Sequence, residues 1–325
     1  MFDFVAIGEV LIDFTPVPGN NPSQAVIFQQ NLGGAPANVT CALAKFGRKC
    51  GMIAKLGNDM FGEFCKETMH NLSVDTSNLI LSDLFNTTLA FVHLSETGDR
   101  SFSFYRKNAA DVNLNADEVD LALVRSARIF HFGGVSLSHE PVRSATLTGV
   151  REAKKSGGVI SFDPNIRPAL WDSLEEARSV VLDAMQYPDI IKLSEEEACF
   201  LFQSDEHDAV LREIQKTYHT KIVVITRAGK GAVSLINGIL TTSYAYDTKT
   251  VDTTGSGDCF LAGLLHQFLL LNKPIDDILA QDASDMLAYA NAAGSLTCTK
   301  VGAVAAIPSV IEIQDCIEHG KLLEF

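Results

Sequence analysis

Apolar and polar positions change their spacing along the chain in a way that predicts alternating strands and helices. From residue 119 onward, apolar runs of strand length are followed by longer segments with helical spacing. This rhythm predicts a mainly parallel sheet with helices on both faces. The predicted elements here are strands at 129–132, 159–162, 190–193 and 222–226 and a helix at 141–156.

The first hundred residues have a different pattern. Residues 4–7 suit a buried strand, but the segments 11–15, 26–32, 87–94 and 101–105 read as half-exposed antiparallel strands. A glycine-containing loop at 96–99 joins the last two as a hairpin. We therefore expect one domain over residues 1–325, with a small sheet formed by segments 11–32 and 87–106 that stands off the main sheet as a lid. A strand at 50–55 and helices ending at Lys45 and over 61–72 complete this half.

Composition and charge narrow the class of partner. The 325 residues are 46% hydrophobic, which is enough to bury a large core. A net charge of −14 argues against nucleic acid and anionic membranes, so small molecules are the expected partners. Seven cysteines without a C-x-x-C pair, no basic leader and no apolar run of spanning length together predict a cytoplasmic protein.

A polar, glycine-rich loop at 251–258 leads directly into an apolar segment, 259–271, that predicts a buried helix. Gly255 and Gly257 let the backbone approach a ligand closely, and the start of a helix attracts an anion. Asp258 in the first turn could accept a proton there. An anion site beside a base is what phosphoryl transfer to an alcohol requires. A plain turn with a capping Asp is the alternative.

The loop sequence from Asp252 to Asp258 resembles the C-terminal signature of the PfkB-type, ribokinase-like sugar kinases. Residues 33–38 and 57–62 resemble the other signature region of the family, and the resemblance runs from Gly8 to Pro308. By contrast, the chain lacks both the P-loop pattern and a strand–G-x-G-x-x-G–helix unit. The resemblance implies an α/β, ribokinase-like fold and an ATP-dependent kinase.

The resemblance also assigns roles to individual residues. Asp258 would be the general base, with the N–H groups of Gly255, Ser256 and Gly257 as the anion hole, although the family usually has Ala at the Ser256 position. The residues implied at the sugar are Asp13, Gly33, Gly34, Asn38, Tyr105, Arg106 and Arg167. A carboxylate, bare backbone and an amide can bind neighbouring hydroxyls. A turn at Asp13, a helix cap at Asn38, lid packing at Tyr105 and surface ion pairs at the two arginines remain alternatives.

The same resemblance places the nucleotide and its ions. The residues implied at ATP are Asn165, Ser194, Thr226, Gly229, Gly231 and Asn291. Glu197 would hold Mg²⁺ through water, in a Ser194-x-x-Glu197 motif where most members have Asn-x-x-Glu. A monovalent cation such as K⁺ is also implied, held mostly by carbonyls at Asp252, Thr254, Thr297, Lys300 and Gly302.

Within the family the chain is most similar to fructokinases, at residues 8–14, 102–106, 162–167 and 192–197. We therefore expect phosphorylation of fructose to fructose 6-phosphate by a protein that could be a homodimer. A 2-keto-3-deoxygluconate kinase, or another ribokinase-like sugar kinase, is the alternative that the two arginines would also serve. A non-catalytic sugar or nucleotide sensor is a further alternative, disfavoured by Asp258 and its glycine neighbours.

Overall fold

The computed structural model describes residues 1–17, 26–94 and 100–323, which form two sheets and the helices packed on them. The strands are β1 (Phe2–Ile7), β2 (Leu11–Pro16), β3 (Phe28–Gly33), β4 (Cys50–Gly57), β5 (Leu79–Ser82), β6 (Leu89–Leu94), β7 (Arg100–Tyr105), β8 (Ala127–Gly133), β9 (Val159–Asp163), β10 (Ile190–Ser194), β11 (Ile222–Thr226), β12 (Ala232–Ile236) and β13 (Ile239–Ser243).

The large sheet has the strand order β13-β12-β11-β10-β9-β8-β1-β4-β5 over the described residues. From β11 to β5 every neighbouring pair is parallel, and the β12–β13 hairpin adds two antiparallel strands at one edge. Parallel neighbours bring their carboxyl ends to the same edge of the sheet. The polar turns after β9, β10 and β11 therefore open on one side, where open α/β sheets bind ligands.

Helices cover both faces of this sheet, because successive side chains of each strand point to opposite faces. In β1, Phe4 and Ala6 pack in one apolar cluster and Val5 and Ile7 in the other. The helices are α1 (Ala35–Lys45), α2 (Met60–Asn71), α3 (Leu121–Arg125), α4 (Val142–Lys155), α5 (Leu174–Ala184), α6 (Glu195–Phe202), α7 (His207–Tyr218), α8 (Ser256–Leu271), α9 (Ala280–Thr297), α10 (Ala303–Ala306) and α11 (Val310–His319).

The small sheet has the order β3-β2-β6-β7 and contains the strands predicted for it. β2–β3 and β6–β7 are antiparallel, but β2 and β6 pair in parallel, unlike the expected antiparallel arrangement. A long crossover through α1, β4 and α2 separates β2 from β6, so no hairpin forces them to run in opposite directions. The predicted hairpin loop at 96–99 lies outside the described residues.

The start of one helix and one whole hairpin differ most from the sequence prediction. Helix α8 begins at Ser256 rather than at residue 259, because Gly255 adopts a left-handed φ of 76° and serves as its N-cap. The hairpin β12–β13 was not predicted. It turns at Asn237 and Gly238, which both have positive φ and form the tight turn that such a dipeptide favours. Among the described residues, no helix is long and apolar enough to cross a membrane.

Candidate active site

The first turn of α8 forms the boundary between two pockets. Gly257 lines one of them, and Asp258, the next residue along the helix, lines the other. The last three residues of the glycine-rich loop, 256–258, therefore belong to the first turn of the helix, so its first N–H groups lie at this boundary. The N–H of Ser256 also donates to the carbonyl of Thr253 at 3.2 Å, which tightens this turn.

The first pocket collects most of the residues predicted to bind the sugar. Asp13 comes from β2, Gly34 and Asn38 from the start of α1, and Arg167 from the turn after β9. The remaining lining residues are Glu9, Leu11, Ala35, Phe104, Val135, Asn165, Leu170, Thr254 and Asp258. Carboxylates, an amide and a guanidinium thus converge from distant parts of the chain on one cavity that contains Asp258.

The carboxylate of Asp258 is partly buried and is fixed by a hydrogen bond, as a general base would need to be. Its Oδ2 accepts a hydrogen bond from Asn38 Nδ2 at 2.8 Å, whereas Asn38 Oδ1 is buried and has no partner in the described part of the chain. Burial, and then the charge of Asp163, raise the pKa of Asp258 to about 6, against the lowering effects of Asn38, Lys192 and Arg167. A carboxyl with that pKa can exchange a proton near neutral pH.

Asp13 faces the same pocket as Asp258 and interacts with it. Burial, and then the charge of Asp258, raise the pKa of Asp13 to about 7, and Arg167 opposes the shift. Gly33 does not line the pocket but makes room for this side chain, since a Cβ on Gly33 would lie 2.1 Å from Asp13 Oδ2. Gly34 has a φ of 102° and a Cβ there would meet the carbonyl oxygen of Glu9 at 2.4 Å, so the backbone requires glycine at Gly34, whereas a Cβ at Gly33 would displace the Asp13 carboxylate.

Two residues predicted at the sugar lie elsewhere. Arg106 is buried and lines neither pocket; its Nε donates to Asp111 Oδ2 at 2.7 Å and its Nη1 to Ser138 Oγ at 2.9 Å. This ion pair compensates the charge of a guanidinium that points into the protein at the end of β7. Tyr105 is 67% exposed and packs edge-on against Phe91, while its neighbour Phe104 lines the pocket. Alternation along β7 explains why adjacent residues face opposite sides.

The second pocket collects the predicted nucleotide residues Thr226, Gly229, Gly231 and Asn291. Gly231 has a φ of 79°, and a Cβ there would meet the carbonyl oxygen of Ser243 at 2.1 Å, so the turn after β11 requires glycine. Asn291 is buried and its Nδ2 has no hydrogen-bond partner among the described residues. The other lining residues are Ala228, Ala245, Tyr246, Thr248, Thr250, Thr253, Ser256, Gly257, Phe260, Gly294, Ser295, Cys298 and Leu323.

Ser194 and Glu197 form a capping box at the start of α6, and neither lines either of these two pockets. Ser194 Oγ accepts the N–H of Glu197, and Glu197 Oε2 accepts the N–H of Ser194 at 2.8 Å. Glu197 Oε1 accepts the N–H of Ile166 at 2.7 Å. Burial, and then Asp163, raise the pKa of Glu197. Both carboxylate oxygens already accept hydrogen bonds from backbone N–H groups. Glu197 is therefore better suited to bind Mg²⁺ through a water molecule than to ligate it directly.

Asn165, predicted at the nucleotide, lines the first pocket rather than the second. Its N–H donates to Asp163 Oδ1 at 3.2 Å, and its own φ is 41°. The carboxylate of Asp163 therefore turns the chain after β9 so that Asn165 and Arg167 reach the side of the site that holds Asp13.

The residues predicted to hold a monovalent cation are brought together in part. Asp252 is buried, and its two oxygens accept the N–H groups of Thr254 and Gly302 at 2.7 and 2.9 Å, which joins the two loops. Thr297 donates its hydroxyl to the carbonyl of Ala293, and the Lys300 ammonium lies 3.5 Å from Glu312, while the N–H of Asp252 donates to the carbonyl of Cys298 in the turn between them at 3.1 Å. Over the described residues, no cluster of three His, Cys, Asp or Glu could hold a metal ion.

Three charged groups of the site were given no role by sequence reasoning. Glu9 lines the first pocket, accepts the N–H of Ala35, and burial raises its pKa to about 7. Lys192 and Asp163 form a buried ion pair with Nζ 3.0 Å from Oδ2. Their signal was a lysine in the middle of the apolar strand β10 and an aspartate at the end of the apolar strand β9, where an unpaired charge would be costly.

Comparisons with known proteins agree with this arrangement. The sequence profile of the pfkB family carbohydrate kinase matches residues 1–310. Fructokinase-1 of Zea mays is 37% identical over 317 residues, which cover 97% of each chain. The crystal structure of the fructokinase of Xylella fastidiosa with bound ATP has a TM-score of 0.90 at 30% identity and covers 98% of this chain and 99% of that one.

A second solved structure is a double mutant of the fructokinase of Vibrio cholerae O395 with fructose, ADP and a potassium ion bound. It has a TM-score of 0.86 at 29% identity and covers 96% of this chain and 97% of that one. The sheet order, the paired pockets and these matches define an ATP-dependent carbohydrate kinase with a ribokinase-like α/β fold and a small sheet as lid. The chain belongs to the pfkB family.

Proposed function

We propose that this kinase transfers the γ-phosphoryl group of ATP to a primary hydroxyl of fructose, giving fructose 6-phosphate. The observation that carries the proposal is the arrangement of Gly257 and Asp258, adjacent residues of one helix turn that line different pockets. A base on the sugar side and helix N–H groups on the other side suit in-line transfer between two bound substrates.

In the proposed reaction, the sugar hydroxyl loses its proton to the carboxylate of Asp258 as its oxygen bonds to the γ-phosphorus. The bond from that phosphorus to the bridging oxygen breaks, and ADP leaves with the electron pair. The N–H groups of Gly255 and Gly257 stabilise the charge on the transferring oxygens, and that of Ser256 joins them by leaving the carbonyl of Thr253, to which it donates at 3.2 Å in this structure. Asn38 keeps Asp258 oriented through the 2.8 Å hydrogen bond.

The residues of the two pockets suit the proposed ligands. Asn38 Oδ1 and Asn291 Nδ2 are buried polar atoms without partners in the described regions, so a sugar hydroxyl and an adenine nitrogen would each satisfy one. Glu197 would hold Mg²⁺ through water, and the ion would neutralise phosphate charge. Loops joined by Asp252 would supply carbonyl oxygens for K⁺.

The position of Arg106 favours a neutral ketose over a sugar acid. A 2-keto-3-deoxygluconate kinase needs cationic side chains for the substrate carboxylate, but Arg106 is paired with Asp111, and among the described residues Arg167 is the only cation that lines the pocket. One guanidinium facing the carboxylates Asp13 and Asp258 leaves little excess positive charge for an acid. The alternative sugar acid is therefore the less suited substrate.

A panel of sugars at saturating MgATP tests the assignment. We expect fructose to give the highest kcat/KM among fructose, 2-keto-3-deoxygluconate, ribose and glucose. Preference for another sugar by about tenfold or more, equivalent to about 1.4 kcal/mol, would refute the choice of fructose.

We further propose that the small sheet closes over the sugar as a lid within a single kinase domain acting in the cytoplasm. The small sheet borders the pocket, because Phe104 of β7 and Asp13 of β2 line it. Closure would exclude water that competes with the sugar hydroxyl. Hydrogen exchange should show that fructose protects the amides of β2, β6 and β7, whereas unchanged exchange would refute the lid.

A further inference from the structure

Lys192 buries an ammonium group behind the turn that separates the two pockets. It lies on β10, is 7% exposed, and its Nζ donates to Asp163 Oδ2 at 3.0 Å. Lysine is rarely buried unless it is paired, because an ammonium loses strong hydration on leaving water. The ion pair with Asp163 explains how the buried charge of Lys192 is tolerated. It does not explain why a lysine lies behind this turn.

The surroundings of Lys192 are strongly negative. Asp163, Glu197 and Asp258 all act on its ammonium group, and their charges together outweigh the effect of burial, which by itself would lower its pKa. Of these carboxylates, the proposed reaction uses Asp258 as base and Glu197 beside the metal. ATP must bring its phosphates into the same region, so a fixed positive charge is needed to offset the repulsion.

The bare backbone of Gly257 leaves Lys192 facing the phosphate site. A Cβ on Gly257 would lie only 3.2 Å from Lys192 Nζ, and no nearer atom opposes it. Gly257 lines the second pocket, here called the nucleotide-side pocket, and Asp258 lines the first, here called the sugar-side pocket. The ammonium therefore lies directly behind the boundary that the phosphoryl group must cross.

We propose that Lys192 is a positioning residue for phosphoryl transfer, whose fixed charge, held by Asp163 and facing the gap at Gly257, balances the carboxylates around the transferring group. Through Asp163 it also secures the turn that carries Asn165 into the sugar-side pocket. This inference rests on the kinase activity of the family and on the proposed roles of Asp258 and Glu197. It does not depend on which sugar is accepted.

The test is a double-mutant cycle of Lys192→Met and Asp163→Asn, assayed with whichever sugar the wild type phosphorylates fastest. We expect Lys192→Met to lower kcat at least about tenfold while the KM for sugar changes less than about threefold. The same loss must persist when Lys192→Met is added to Asp163→Asn. The double variant leaves no unpaired charge from this ion pair, so it keeps the test open if a single variant fails to fold.

Lys55→Met is the matched control. Lys55 is equally buried, is paired with Glu118 at 2.7 Å and lines neither pocket, so its loss should lower the melting temperature but leave kcat unchanged. If the double variant has a kcat within about threefold of Asp163→Asn, Lys192 only compensates Asp163 and the proposal is wrong. A raised KM for sugar with an unchanged kcat would also overturn it. A wild type that prefers a sugar other than fructose would refute only the proposed substrate.

Discussion

The two pockets on either side of the α8 turn are built from different chemistry. Glu9, Asp13, Asp258 and Arg167 line the sugar-side pocket, whereas among the described residues of the nucleotide-side pocket none is Asp, Glu, Lys or Arg. Under the proposed function, ionisable side chains would recognise the sugar in the first pocket, and backbone, small hydroxyls and one amide would recognise ATP in the second. We therefore expect the first pocket to determine which sugar is accepted and how activity depends on pH. The second pocket should be less sensitive to pH.

The largest expected effect comes from Asp258→Asn, which keeps the size of the side chain but removes the base. We expect kcat to fall at least about a hundredfold, the range for loss of a general base, while ATP affinity stays level or tightens. Tightening follows because the removed charge would repel phosphate. Turnover close to that of the wild type would mean that Asp258 only caps α8 and that the base lies elsewhere.

A pair of glycine substitutions should separate the pockets. Gly34→Ala places a Cβ 2.4 Å from the carbonyl oxygen of Glu9, and Gly231→Ala places one 2.1 Å from that of Ser243, both at positive φ. Each costs more than about 1 kcal/mol of local strain, so a shift of about tenfold in KM is expected. Gly34→Ala should raise the KM for sugar and Gly231→Ala that for ATP. Variants that raise both constants equally would contradict separate pockets.

The pH profile should distinguish the pockets with a somewhat smaller effect. Since the pKa of Asp258 is raised to about 6 and the base must be ionised, kcat/KM for the sugar should fall up to about tenfold per unit below pH 6. Nucleotide binding at saturating Mg²⁺ should vary far less, because none of the described residues that line its pocket is a carboxylate. A profile that is flat between pH 5 and 8 would exclude a base with this pKa.

The same shift predicts the sign of a stability effect. A carboxyl whose pKa is raised in the folded state favours folding at low pH, and this contribution is lost as pH rises through about 6. Ionised Asp258 should therefore destabilise the sugar-free protein at pH 8, and Asp258→Asn should melt at a higher temperature than the wild type there. A lower melting temperature at pH 8 would contradict the sign.

The smallest expected effect is that of Asn291→Leu. Its Nδ2 has no partner in the described part of the chain, so removing it costs only the hydrogen bond proposed with the nucleotide, about 1 kcal/mol or a severalfold rise in KM for ATP. The KM for sugar should not change. An unaffected KM for ATP would show that the Asn291 amide does not bind the adenine ring.

Sequence alone predicted the fold class, because apolar runs of strand length and the signature at 252–258 are local properties of the chain. It also predicted that Asp13, Gly34 and Asn38 belong with Asp258, which the structure places around one cavity. It could not predict the direction of a side chain at a strand end. Arg106 is therefore found with Asp111, and Tyr105 points outward while Phe104 lines the pocket.

Charged residues within apolar strands signal that a buried partner exists, but the identity of that partner was equally inaccessible to sequence. Lys192 and Asp163 are 29 residues apart, and only the parallel pairing of β9 with β10 brings them together. The β12–β13 hairpin, in contrast, had a local signal in Asn237-Gly238 between apolar runs and could have been predicted. Structure that depends on adjacent residues, such as a tight turn, can be predicted from sequence. Contacts that depend on the order of strands in the sheet cannot.

The order of the two pockets along the chain has a consequence for how the enzyme can diversify. Most sugar-side residues, from Glu9 to Phe104, precede residue 105, whereas the nucleotide-side residues start at Thr226. A recombination crossover between these segments would exchange the acceptor-binding part while keeping the donor-binding part with Asp258. Homologous chimeras joined within 106–160 should thus inherit acceptor preference chiefly from the N-terminal parent.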